Sequence, residues 1–133
     1  LKICKFNSFK PQIAAEGEIT MSAQYLKNID FENVLKLEEL VAYQTGQVVS
    51  RTLVQNKSVG VTLFSFDKGE QISTHASTGD AMVNILTGEA LITIGEKEYS
   101  LLAGETIVMP NNIPHAVYAK EQFKMLLTVI FPY

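Results

Sequence analysis

From residue 47 to the end, turn-forming residues interrupt this chain about every 8–12 positions. No other feature of the sequence limits its folding as severely. The segments between the breaks are QVVSRTLVQ (47–55), SVGVTLFSF (58–66), QISTHAS (71–77), AMVNIL (81–86), EALITI (89–94), EYSLL (98–102), TIVM (106–109), HAVYA (115–119) and FKMLLTVIF (123–131). They are rich in Val, Ile, Thr, Leu and Phe, and the breaks supply Gly, Pro, Asn and Asp. Segments this short and this closely spaced leave no room for crossover helices. The spacing therefore predicts an all-β sandwich or barrel rather than a βαβ fold. Thr87-Gly88, between two of the apolar segments, reads as a two-residue hairpin turn.

The part before residue 47 is different. Residues 1–28 read as an N-terminal arm, and 29–133 as a single domain. Asp30 is placed to cap a short helical turn with Phe31, Val34 and Leu35 on one face. Leu1 starts the chain and Met21 opens a more ordinary segment, so residues 1–20 are expected to be an upstream extension; their scattered charges make a poor signal peptide. A chain of 133 residues buries roughly 68% of its unfolded surface, enough for a true core.

Charge and cysteine content exclude several classes of function. The formal net charge is −3 and no Lys/Arg run exists, so the footprint of nucleic-acid or anionic-membrane binding is missing. No apolar run approaches the ~20 residues of a membrane span. Cys4 is the only cysteine, which forbids an internal disulfide and makes a cytoplasmic setting the expectation.

The chain has two histidines, His75 and His115, each within a turn–strand block. In the first block Gly69 is followed by His75, Ser77, Ala81 and Gly88; in the second Gly104 is followed by Pro110, Asn112, His115 and Ala119. Alternation along a strand puts His75 on one face with Ser77, and with Gln71 and Ser73. On the next strand Ala81, Val83 and Ile85 share one face and Met82, Asn84 and Leu86 the other. Gly69, Gly88 and Gly104 fit tight turns, and Asn112 is the other residue type that tolerates the left-handed region. Pro110 and Pro114 stiffen the loop that precedes His115.

These two blocks resemble the paired motifs of the cupin superfamily, G-x5-H-x-H-x3-4-E-x6-G and G-x5-P-x-G-x2-H-x3-N, with matches at Gly69, His75, Gly88, Gly104, Pro110 and His115. The resemblance spans roughly residues 60–130 and implies a double-stranded β-helix, a jelly-roll barrel with a ligand-sized mouth. It also implies a metal cage of three histidines and a glutamate. This chain has Ser77 and Ala81 at two of those positions, and no third histidine.

Three readings of the histidine pair follow. The pair binds a small organic molecule without metal, beside Ser77, Gln71 and Met109. Alternatively it holds a divalent metal (Fe, Mn, Ni, Zn or Co) with Asp80 or Gln71 as an unexpected third ligand, for dioxygenase, isomerase or lyase chemistry. In the third reading it has no role of its own and the barrel is a non-catalytic sensor or structural module. Met82, Met109 and Met125 are candidate pocket-lining residues, although methionine more often fills gaps in a core. Tyr99, Tyr118 and Phe123 are expected in the core, and Arg51 at an exposed or interface position. The strand carrying Met82–Leu86 is apolar on both faces, so its outer face must meet another sheet, the arm or a second subunit. A homodimer is the expected assembly.

Overall fold

The computed structural model describes residues 12–13, 19–20 and 23–132. Among the described residues ten strands run β1 Gln12–Ile13, β2 Ile19–Thr20, β3 Val48–Gln55, β4 Val59–Phe66, β5 Gln71–His75, β6 Asp80–Ile94, β7 Lys97–Leu102, β8 Thr106–Met109, β9 His115–Tyr118 and β10 Phe123–Ile130. The pair β1–β2 forms its own small antiparallel ladder; the other eight strands form one curled antiparallel sheet in the order β3-β4-β10-β6-β9-β5. Strands β7 and β8 both pair with β6.

The long strand β6 organises the barrel. Its first half lies between β10 and β8, and its second half lies between β9 and β7. One strand therefore belongs to both walls, and the bend between its halves curls the sheet around a core. The bend is at Gly88, with φ at 79°. A Cβ at this position would run into the Gln122 carbonyl and Phe123. The two-residue hairpin expected at Thr87-Gly88 does not form: a tight hairpin would pair 81–86 with 89–94, whereas the strand continues through the bend to new partners.

Alternation along the first half of β6 is as the sequence indicates. Ala81, Val83 and Ile85 point inward and are almost fully buried. They join Phe66, Ile92, Val117, Phe123 and Met125 in the main core, where the rings of Phe66 and Phe123 stack with centroids 4.4 Å apart. On the outer face, Leu86 and Leu126 belong to a second cluster with Leu53 and Leu63, covered by Ile29, Leu37, Leu40 and Val41. The segment after the expected arm thus covers half of the outer face. Met82, Val108 and Ile130 stay exposed on the other half, with Met82 directly opposite Val108 in the β6–β8 ladder.

Arg51 fastens this covering segment. Its Nε donates to the Asn28 carbonyl at 2.6 Å and its terminal nitrogen to the Leu40 carbonyl at 2.8 Å, so it staples both ends of the segment to β3. The end of the expected arm is also tied down: the Lys27 amide donates to the Leu53 carbonyl at 2.8 Å. Most of residues 1–28 lie outside the described residues.

The expected helix from Asp30 is absent. Asn28 and Glu32 both have φ at 59°, in the left-handed region, which ends any right-handed turn. The helical turn among the described residues lies later, a 3-10 turn at Leu37–Leu40. Val34, expected on an apolar helix face, is fully exposed. Tyr99 and Tyr118 are also on the surface, with only Phe123 of that group in the core; both tyrosines sit on outward positions of their strands, where an aromatic ring is stabilised by β-pairing without burial.

Candidate functional site

His75 ends β5 and His115 begins β9, and the two are direct partners across that antiparallel ladder. The ladder is irregular at this point. Ile72 lies opposite Val117 and His75 opposite His115, so β5 takes three steps where β9 takes two. The extra residue is a β-bulge, and it changes which side chains face inward. Ile72 and His75 both line the interior, although simple alternation separates them. Gln71, expected on the same face as His75, is exposed beside the outward Tyr118 and does not line the cavity.

The imidazoles converge at one end of a cup of about 300 Å³. Its wall is Phe64, Ile72, Ala81, Met109, Val117, Met125, Leu127 and Val129, with Ala76 and Ser77 at the rim beside the histidines. The volume is at the small end of the range for organic-ligand pockets. Of the residues named from the sequence, the structure brings together His75, His115, Ser77, Met109 and Met125, and leaves Gln71, Asp80 and Met82 outside. Sequence reading passed over most of the wall. Leu127 and Val129 follow Met125 at period two, and Val117 follows His115 in the same way, so alternation alone could have found them.

Hydrogen bonding fixes the chemistry of the pair. The Nδ1 of His75 is 2.9 Å from the Ser73 carbonyl, and the Nδ1 of His115 is 3.1 Å from the Ile113 carbonyl. A carbonyl oxygen only accepts, so both Nδ1 atoms carry the proton and both Nε2 atoms present lone pairs. Those Nε2 atoms are 3.2 Å apart, with the rings nearly perpendicular at 72°. Two acceptors facing at this distance repel unless a cation lies between them: a proton, which turns one ring into imidazolium, or a metal ion. Burial pushes the His115 pKa below its ordinary value; the Ile113 carbonyl opposes this and the neighbouring His75 adds to it. Burial therefore favours the neutral form of the His115 ring.

The loop before His115 is tied to the strand carrying Ala81. Oδ1 of Asp80 accepts from the Asn111 amide at 2.8 Å and from its side chain at 2.7 Å. These bonds hold the Asp80 carboxyl below its usual range. The Asn112 amide donates to the Ser77 carbonyl at 2.7 Å, and Asn112 has φ at 60°, the left-handed conformation its residue type suggested. Asp80, expected as a third ligand, instead faces outward and holds this loop in place.

The pair fits two adjacent positions on a metal. Two nitrogens 3.2 Å apart subtend roughly 100° at an ion ~2.0–2.1 Å from each, and Nδ1–H bonded to a backbone carbonyl is the usual support of a metal-binding imidazole. The rest of a three-histidine, one-glutamate cage does not fit. Ser77 Oγ accepts from the Gly79 amide at 3.1 Å, and Ala81 offers only a methyl. Among the described residues no group of three or more His, Cys, Asp or Glu could hold a metal ion.

A β-walled cup with a pair of imidazoles at one end defines a class of barrel proteins, and the comparisons with known proteins give its family. The Cupin domain family model matches residues 62–131. A conserved Streptococcus pyogenes protein of unknown function is 50% identical, with 84% of this chain and 98% of that chain covered at a TM-score of 0.83. A cupin superfamily protein from Desulfitobacterium hafniense is 36% identical over 80% of this chain and 98% of that one, with a TM-score of 0.77. A cupin 2 conserved barrel domain protein from Leptotrichia buccalis is 42% identical over 72% of this chain and 47% of that one, at 0.71. No match was found among curated proteins. The chain belongs to the cupin family.

Proposed function

We propose that the barrel binds a small organic molecule, its apolar body against Phe64, Ile72, Met109, Met125 and Leu127 and its polar end at His75 and His115. The observation that carries this reading is the convergence of two Nε2 atoms at 3.2 Å in a cup whose other walls are hydrocarbon and thioether. An apolar cavity with a few convergent polar groups is the usual form of a small-ligand site. Thermal-shift screening of small oxygen-bearing compounds, followed by calorimetry, tests it, because a ligand specific for the native state raises the melting point. His75→Ala is expected to weaken an identified ligand on the order of tenfold or more. Unchanged affinity in that variant refutes the reading.

The facing lone pairs favour a second reading, a metal-dependent cupin enzyme with His75 and His115 as ligands. A bound ion there would polarise an oxygen of the ligand. Elemental analysis of untagged protein tests this reading: one equivalent of metal supports it, and its absence together with no metal-induced stabilisation ends it.

We also propose a homodimer through the exposed Met82, Val108 and Ile130 face, and a cytoplasmic location on the strength of the lone cysteine. Among the described residues no helix is long and apolar enough to cross a membrane.

A further inference from the structure

We infer that the cup takes an uncharged ligand whose polar end is a primary carboxamide, its –NH2 held by the two imidazoles and its carbonyl oxygen by Ser77. The inference rests on the small-molecule reading of the cup and adds the chemistry of the ligand's head group.

Charge sets the first limit. Among the described residues, those lining the cup include no Asp, Glu, Lys or Arg. The nearby Asp80 carboxylate is exposed and already accepts two hydrogen bonds from Asn111. A ligand carboxylate or phosphate would meet two Nε2 lone pairs and no cation. A ligand ammonium would find no counter-charge. An unpaired charge beside an apolar wall is costly, so the head group is neutral.

Hydrogen-bond counting then separates the neutral groups. Both Nδ1 protons are committed to the Ser73 and Ile113 carbonyls, which leaves two Nε2 acceptors side by side, 3.2 Å apart. A ketone, ester or ether brings only further acceptors. A hydroxyl has one proton for two lone pairs, whereas –NH2 has two. A nitrogen about 2.9–3.0 Å from both Nε2 atoms sees them roughly 65° apart, and each N–H···N angle is then about 140°, bent but within hydrogen-bonding range.

Ser77 supplies the complement. Its Oγ accepts from the Gly79 amide at 3.1 Å, so its hydroxyl proton is the one to donate. Ser77 lines the rim beside both imidazoles. One donor next to two acceptors matches a carboxamide, which has one acceptor next to two donors. His75 is exposed and His115 buried, so the head group lies toward the mouth and the apolar body runs inward along Phe64, Met125 and Leu127. A cup of about 300 Å³, filled at the density of an organic liquid, holds on the order of ten non-hydrogen atoms.

The test is calorimetric titration of the full untagged chain at pH 8, above the ordinary imidazole range, with EDTA present so that no metal ion takes the same place. The probes are benzamide, benzoate, acetophenone, benzyl alcohol and aniline, with hexanamide and hexanoate as an aliphatic pair. At least one amide is expected to bind on the order of tenfold or more tightly than the acid, ketone and alcohol of matching shape. Ser77→Ala is expected to weaken benzamide about fivefold and to leave aniline, which has the –NH2 but no carbonyl, unchanged. An acid, ketone or alcohol binding as tightly as its matching amide overturns the inference and leaves the small-molecule reading standing. Unchanged benzamide affinity in Ser77→Ala overturns the assignment of the carbonyl to Ser77. Binding by no member of the series also overturns the inference, and the thermal-shift screen then decides the wider reading separately. The wild-type series carries the main result, so a poorly folded variant cannot rescue the inference.

Discussion

Replacing Gly88 with alanine tests how the barrel closes. The position has φ at 79°, and an added Cβ meets the Gln122 carbonyl and Phe123, both backbone or near-backbone atoms at the start of β10. Forcing a non-glycine residue into this left-handed region costs about 1–2 kcal/mol. Displacing packed backbone at the fully buried Phe123 adds about 1–3 kcal/mol of overpacking. The sum for Gly88→Ala is about 2–5 kcal/mol. Gly69→Ala separates the two causes, because Gly69 has φ at 85° with nothing within 4 Å of an added Cβ. It carries the torsional cost alone, about 1–2 kcal/mol. Urea denaturation at pH 7.5 measures both variants against the parent. Gly88→Ala is expected to lie about 1–3 kcal/mol below Gly69→Ala, or about 4–12 °C lower in Tm. Equal losses in the two variants would mean that the bend in β6 is not packed against β10, and that account of closure would be wrong.

Stability should also depend on the pair of histidines through pH. His115 has a folded pKa below its ordinary 6.5, with burial the largest cause. The unfolded chain therefore takes up this proton first as pH falls, and stability drops from about pH 6.5 down to the folded pKa, then levels. Denaturation midpoints between pH 7.5 and 5 should show this slope, and His115→Gln should flatten it; an unchanged slope in that variant assigns the dependence to another group. Removal of Arg51 frees the Asn28 and Leu40 carbonyls, so Arg51→Ala should cost about 1.5–3 kcal/mol and speed proteolysis within residues 28–41. Resistance equal to that of the parent chain would show that the staple contributes nothing. Sedimentation should give about twice the 14.7 kDa chain mass, with Met82→Lys shifting it toward monomer; a concentration-independent monomer refutes the homodimer.

Much of the molecule was legible in the one-dimensional pattern. Turn residues spaced for short strands fix an antiparallel β fold, because closely spaced Gly, Pro and Asn break any longer helix or crossover. Alternation correctly divided Ala81, Val83 and Ile85 from Met82, Asn84 and Leu86, since side chains on an unbroken strand can point only two ways. The stretches around Gly69–His75 and Gly104–His115 located both imidazoles. Three things were decided only in three dimensions. The segment 81–94 has the composition of a hairpin, and whether Gly88 reverses the chain or merely bends it depends on the partners β10 and β9 waiting on either side. The bulge between Ile72 and His75 is set by pairing with β9, so the strand alone could not show that Gln71 turns outward and Ile72 inward. Asp80 belongs by parity to the outer face with Met82 and looked available only because parity is loose at a turn; its bonds to Asn111, thirty-one positions away, hold it outward. Local sequence fixes the preferences of the backbone and the period of its side chains, whereas the direction of any one side chain near a bend or bulge is fixed by neighbours remote in the chain, and those are chosen only when the sheet closes.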